Sequence, residues 1–232
     1  MSHYDLIDFH PTKDNKPIHI GLIPDGTGRW GEINNIPIMD AYMYTMGKIA
    51  QFINFFFEKE VPIISIYLSS IQNFRRPQEK IEAFCRAQEY FVSTELIKLL
   101  KNYPNTAVVP VGNTDILPMG LRSALLNIST QKDVSNKSNK KIYLCVAYNP
   151  LEEVLQAIES PQKGNFLNNL CVKEPLDLVI RTSGANLLSN FLPLQAGYAR
   201  LYWLEKLYPD VSIEEYESIY NEFVKLERKY GD

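Results

Sequence analysis

Five short runs of apolar, largely β-branched residues punctuate the chain, at residues 18–23, 63–68, 107–111, 142–147 and 176–180. Runs this short and this continuous predict strands buried on both faces. Between them, apolar positions recur at helical spacing over residues 39–59, 78–101 and 116–131, and residues 150–159 and 212–230 join acidic starts to apolar positions suited to covering a sheet. Strand alternating with helix predicts an α/β fold, a single domain over residues 1–232 with a mainly parallel central sheet flanked by helices. Residues 131–141, rich in Ser, Asn and Lys, and 160–169, with Pro161 and Gly164, are predicted as loops. Neither marks a domain boundary.

Ligands of such sheets bind outside the carboxyl ends of the strands, and three polar segments fall there. The first is Asp25-Gly26-Thr27-Gly28-Arg29-Trp30, a carboxylate, two glycines and an arginine directly after a strand. Glycine lets backbone N–H groups approach an anion, arginine forks onto phosphate oxygens, and an aspartate can hold a magnesium ion that bridges them. The plainer account is a turn in which Asp25 caps the next helix. The second segment, Ser69-Ser70-Ile71-Gln72-Asn73-Phe74-Arg75-Arg76-Pro77, offers hydroxyls, an amide and two arginines before a helix. Diphosphates demand such donors, although alone these serines read as caps for a helix at 78. The third, Leu178 to Phe191, repeats strand, arginine (Arg181), hydroxyls and glycine. Three convergent segments on one rim favour an anion site over three coincidental turns.

Composition narrows the partners. With 45% apolar and 22% charged residues and a net charge of −3, the chain is ordinary for a globular domain and poorly suited to nucleic acid or a strongly anionic membrane surface. The polar N-terminus lacks a secretory pattern and no apolar run is long enough to span a bilayer, so a cytoplasmic protein without stable membrane insertion is expected. Cys85, Cys145 and Cys171 lack metal or redox spacing and are expected to be buried, reduced thiols. The histidines, His3, His10 and His19, all lie near the N-terminus, which disfavours a histidine triad or multi-histidine zinc site.

Together the motifs resemble those of the cis-prenyltransferases, of which undecaprenyl diphosphate synthase is the best-known member. The family's Asp-Gly-Asn-Gly-Arg-Trp is similar to residues 25–30, its Ser-x-Glu-Asn-Trp-x-Arg-Pro to Ser70 through Pro77, and its Asp-Leu-x-Ile-Arg-Thr-x-Gly and Ser-Asn-Phe elements to Asp177–Gly184 and Ser189–Phe191. The resemblance implies that Asp25 binds Mg2+ and helps an allylic diphosphate leave, while Gly26, Thr27, Gly28, Arg29 and Trp30 hold it. It gives Ser70 and Asn73 a part at the reacting centre, with Ser69 and Arg76 on the substrate, and gives the acceptor diphosphate to Arg181 and Ser189. It also implies a homodimer, with Tyr198 to Leu207 near the interface.

The departures matter as much. A regular elongating enzyme has a second arginine before Ser-Asn-Phe, where this chain has Leu187, and an acidic residue where it has Arg200. Arg200 could itself touch phosphate, in its own subunit or across a dimer. The family's Asn is Thr27, and its Arg and His in the following helix are absent from residues 36–44. Asp40, Tyr42, the Ser69-Ser70 pair and Pro193 are similar to a smaller branch that makes lavandulyl or cyclolavandulyl diphosphate from two dimethylallyl diphosphates. The expectation is a prenyltransferase that joins dimethylallyl diphosphate to a second five-carbon diphosphate and gives a short, irregular product. A regular short-chain synthase using isopentenyl diphosphate, a terpene cyclase and a non-catalytic subunit remain open. Tyr42, Tyr44, Phe52 and Phe55 to Phe57 are expected mostly to pack the core, with a few left to wall an apolar pocket and shorten it.

Overall fold

The computed structural model describes residues 16–130, 139–160 and 166–226. Its centre is a six-stranded sheet made of β1 (His19–Ile23), β2 (Ile63–Tyr67), β3 (Thr106–Val111), β4 (Lys140–Cys145), β5 (Leu178–Arg181) and β6 (Arg200–Trp203), in the order β3-β4-β2-β1-β5-β6. Every pairing is parallel. β1 is entirely buried, as a central strand covered on both faces must be. The helices are α1 (Thr27–Ile33), α2 (Ile38–Glu58), α3 (Gln78–Tyr90), α4 (Leu96–Leu100), α5 (Met119–Thr130), α6 (Pro150–Glu159) and α7 (Ile213–Phe223), with a π turn at Phe91–Glu95 joining α3 to α4.

The five predicted strands are present, within two residues at most ends. Two elements were not foreseen. β6 carries Arg200, Leu201, Tyr202 and Trp203, none of them buried, because it is an edge strand, and its apolar run of four residues, Leu201–Leu204, is short and flanked by Arg200 and Glu205. α1 holds two glycines in seven residues, which sequence reads as a turn. Tertiary contacts hold it as a helix instead: Thr27 Oγ1 lies 2.9 Å from Thr45 Oγ1, Trp30 Nε1 donates to Asp210 at 2.7 Å, and the Trp30 and Tyr44 rings stack at 5.2 Å. The predicted loops at 131–138 and 161–165, and residues 227–230 of the last predicted helix, lie outside the described residues. Lys140 and Lys141, expected in a loop, begin β4.

The expectation for the aromatic residues of α2 holds. Phe52 and Phe56 are fully buried and Phe55 and Phe57 nearly so, packed with Ile49 and Ile53 against Ile20, Leu22, Ile64 and Ile66 of the sheet. Each such side chain contributes roughly 1.5–3 kcal/mol of hydrophobic stabilisation. At the amino ends of the strands, His19 ties three neighbouring segments together. Its Nε2 lies 2.7 Å from Ser65 Oγ, its Nδ1 lies 3.1 Å from the Glu174 carbonyl, and its backbone N–H donates to Asp177 at 2.9 Å. Cys85 and Cys145 are buried, but Cys171 is exposed, against the expectation of three buried thiols.

Candidate active site

A cleft of about 1130 Å3 opens at the carboxyl ends of β1, β2 and β5, and all three polar segments line it. Asp25 follows β1 by two residues. It does not cap α1, whose first turn has no side-chain cap. Its carboxylate Oδ2 instead accepts a 2.8 Å charge-assisted hydrogen bond from Arg181 Nη2, while Oδ1 lies 3.7 Å from Arg29 Nη2. Arg181 ends β5, opposite Ile23 in the register, so strand pairing alone brings these two groups together across the sheet. The same guanidinium donates through Nη1 to Ser189 Oγ at 2.7 Å and to the Leu187 carbonyl at 2.5 Å. Arg181 thus bridges the first and third motifs. Its Nε is buried without a partner among the described residues, an orphan donor beside the cleft.

The middle motif caps itself rather than the helix at 78. Ser70 and Asn73 form a reciprocal capping box around a 3-10 turn, Ile71–Arg75, in which Asn73 Oδ1 accepts from the Ser70 N–H at 2.9 Å. With its oxygen occupied, the Asn73 amide keeps its NH2 as a donor. Ser69 is buried, and its Oγ accepts from the Ala147 N–H at 3.0 Å, which fixes the strand end. Arg76, Lys80, Arg29 and Arg181 face the cleft with only Asp25 and Glu32 as counter-charges among the lining residues, an excess of positive charge suited to an anion. Towards the interior the wall becomes apolar, with Tyr42 and Phe84 in edge-on contact at 6.2 Å.

Of the sequence-derived site residues, Asp25, Gly26, Thr27, Gly28, Arg29, Ser69, Ser70, Asn73, Arg76, Arg181 and Ser189 all line this cleft. Two do not. Trp30 turns away to Asp210 and Tyr44, so it braces α1 instead of facing substrate. Arg200 pairs with Leu178 at the start of β6, three residues from the cleft end of that strand, and is exposed, so it does not reach the cleft of its own chain. Thr27 lines the cleft, but its hydroxyl is spent on Thr45. The sequence reading missed Tyr67, Glu32 and Lys80, which also line the cleft. Tyr67 closes an apolar strand and was counted as part of it.

A family model described as putative undecaprenyl diphosphate synthase matches residues 23–231. The chain belongs to this prenyltransferase family. A prenyltransferase thereby acquires relatives across its whole length. It is 28% identical to the geranylgeranyl-diphosphate-specific tritrans,polycis-undecaprenyl-diphosphate synthase of Thermoplasma volcanium, over 98% of this chain and 93% of that protein. It is 29% identical to an isoprenyl transferase of Rickettsia sibirica, over 92% and 97%. Among solved structures, lavandulyl diphosphate synthase from Lavandula x intermedia superposes with a TM-score of 0.84 at 21% identity, and a probable undecaprenyl diphosphate synthase from Campylobacter jejuni with 0.74 at 24%, each over 94% of this chain and 99% of the other. These two likenesses are of fold. No helix among the described residues is long and apolar enough to cross a membrane.

Proposed function

We propose that this prenyltransferase ionises dimethylallyl diphosphate and couples it to a second five-carbon prenyl diphosphate, giving a short, irregular, lavandulyl-type prenyl diphosphate that is open to cyclisation. The observation that carries this reading is the Asp25–Arg181–Ser189 bridge set beside an exposed Leu187. The half of the cleft that serves leaving diphosphate is intact, while the acceptor side lacks the second cation expected of a regular elongating enzyme. The structure of lavandulyl diphosphate synthase named above contains dimethylallyl diphosphate, which agrees with this choice of substrate.

Among the described residues no group of three or more metal-ligating side chains gathers. Asp25, its side chain 36% exposed at the cleft, is the carboxylate that would hold Mg2+ beside a bound diphosphate. When bound there, Mg2+ supplies the charge withdrawal that weakens the allylic carbon–oxygen bond. The residues of the chain do the rest. Arg29 and the Gly26 to Gly28 backbone hold the leaving diphosphate, and Arg76 and Asn73 donate to it. Tyr42 and Phe84 exclude water from the carbocation. Arg181, through its orphan Nε, and Ser189 orient the acceptor diphosphate so that its double bond attacks the cation. The new carbon–carbon bond leaves a cation on the acceptor, which loses a proton to a diphosphate oxygen or to the nearby Ser70 hydroxyl.

The apolar wall supports a short product. Tyr42 and Phe84 pack into the core cluster that contains Met46, Ile49 and Phe52, at most 4% exposed, where a long chain would need a tunnel. A homodimer is part of the same reading. β6 is a sheet edge beside the exposed apolar Tyr198, Leu194 and Leu201, which a second subunit would cover, and Arg200 would then serve the interface.

Purified protein with Mg2+ should convert dimethylallyl diphosphate alone to a branched ten-carbon diphosphate, identified by mass spectrometry and NMR of the dephosphorylated product. A ten-carbon product that requires isopentenyl diphosphate would establish the regular synthase instead. Turnover of geranyl diphosphate alone would point to a cyclase, and no product under any condition to a subunit. Asp25→Ala should lower kcat by at least about a hundredfold.

A further inference from the structure

The segment that carries Ser189 is strained. Ser189, Asn190 and Leu192 have φ of 49°, 64° and 42°, and Ser183 at the start of the same excursion has φ of 75°. Serine and leucine in this left-handed region are strained, asparagine less so, and such backbone persists only where its surroundings over-determine it. Phe191 and Leu192 are fully buried and anchor one end. Arg181 Nη1 holds the other through the Leu187 carbonyl and Ser189 Oγ. Arg181 is almost fully buried and already committed to Asp25, however, and its two bonds to this segment compete with any anion it receives. One further hold is independent of charge. The Tyr67 hydroxyl donates to the Ser189 carbonyl at 2.9 Å.

Tyr67 ends β2, three residues before Ser70, and is 8% exposed on the floor of the cleft. Its ring is clamped between Phe191, 5.0 Å away, and Tyr148, 6.2 Å away and edge-on. Its hydroxyl therefore has little freedom. Burial pushes the phenol up to about 12, so it remains a donor throughout the neutral range, with Ser70 and Arg181 also beside it. A single rigid O–H thus stands where the middle motif meets the third.

We propose that Tyr67 is a positioning residue for acceptor specificity: by pinning the Ser189 carbonyl it holds the strained turn so that the Ser189 hydroxyl and Arg181 converge on the acceptor diphosphate. This rests on the assignment of Ser189 to the acceptor side. Tyr67 acts through Ser189, and among the described residues its hydroxyl hydrogen-bonds neither Asp25 nor Arg29, which hold the donor diphosphate. Losing the hydroxyl frees the turn to relax while leaving the ring packing in place.

The S-thiolo analogue of dimethylallyl diphosphate, whose carbon–sulfur bond resists ionisation, fills both diphosphate sites without turnover and can be titrated calorimetrically in the presence of Mg2+. The binding event weakened by Ser189→Ala marks the acceptor. Tyr67→Phe should weaken that event about tenfold, the size of one lost hydrogen bond, leave the other within twofold, and keep the thermal midpoint close to wild type. Equal weakening of both events, or of neither, would overturn the role of Tyr67 alone. A single event in the wild type would remove the two-substrate reading itself and this inference with it. If Tyr67→Phe lowers the midpoint sharply, Tyr67→Trp, which restores an N–H donor, should recover acceptor binding over Tyr67→Phe, and failure to do so counts against the proposal.

Discussion

Gly26 and Gly28 are glycines for different reasons. Gly26 has φ of 105°, and a Cβ there would come within 2.7 Å of Leu207 Cδ2, so its side chain is forbidden by both conformation and packing. At Gly28 a Cβ would meet only Ile38 Cδ1, at 3.9 Å. Nothing in the fold requires glycine there, and the space kept open belongs to the cleft. Gly28→Ala should leave the urea midpoint at or slightly above that of the wild type while lowering kcat/KM at least tenfold, whereas Gly26→Ala should cost about 2 kcal/mol of stability. Position 187 offers the converse test. Leu187 is 53% exposed, so Leu187→Arg should change stability by less than about 0.5 kcal/mol. If its missing cation disfavours isopentenyl diphosphate, the variant should gain regular ten-carbon product when given both substrates. Most cleft residues were legible in sequence because phosphate chemistry uses few residue types and all three motifs follow strands. Tyr67 was not, because an aromatic residue ending an apolar strand looks the same whether or not its hydroxyl serves a site, and Trp30 misled because a motif residue can brace a helix as well as touch a ligand.

At the scale of elements, the wall formed by α2 and α3 should decide product size. Tyr42 is half-buried and meets Phe84 edge-on, so Tyr42→Ala removes a ring at modest cost in stability and extends the cleft inward. That variant should accept geranyl diphosphate as donor and release longer products by mass spectrometry, while the wild type stays at ten carbons. Unchanged product length would mean that the limit lies in the fully buried residues behind. Long periodic helices such as α2 were readable to within a residue, since a wide apolar face fixes both period and burial. The elements sequence could not supply, α1 and β6, share a cause. Each depends on partners remote in sequence, Asp210 for α1 and Asp177 for β6, whose carbonyl accepts from the Arg200 N–H at 2.9 Å.

For the whole molecule, His19 makes stability depend on pH. Burial holds its imidazole at about 4 instead of the usual 6.5, so the folded chain keeps it neutral where the unfolded chain takes up a proton. The stabilisation is complete above pH 6.5 and is lost as pH falls from 6.5 towards 4, amounting to about 3 kcal/mol over that window. Urea midpoints measured from pH 7 to 4 should fall more steeply for the wild type than for His19→Gln. Parallel slopes would exclude His19 as the source.

The central place of β1 has a kinetic consequence. β1 pairs with β2 on one side and with β5 on the other, residue 20 lying beside both 64 and 178. Closing a loop of that length costs entropy before any contact repays it, so pairing of this kind is slow. During synthesis the first strand must therefore wait beside β2 with one edge open, and Asp25 has no Arg181 to meet until three-quarters of the chain exists. The nascent protein carries half a cleft, exposed and unable to turn over, and its catalytic competence and the covering of the open edge of β1 arrive in the same late event.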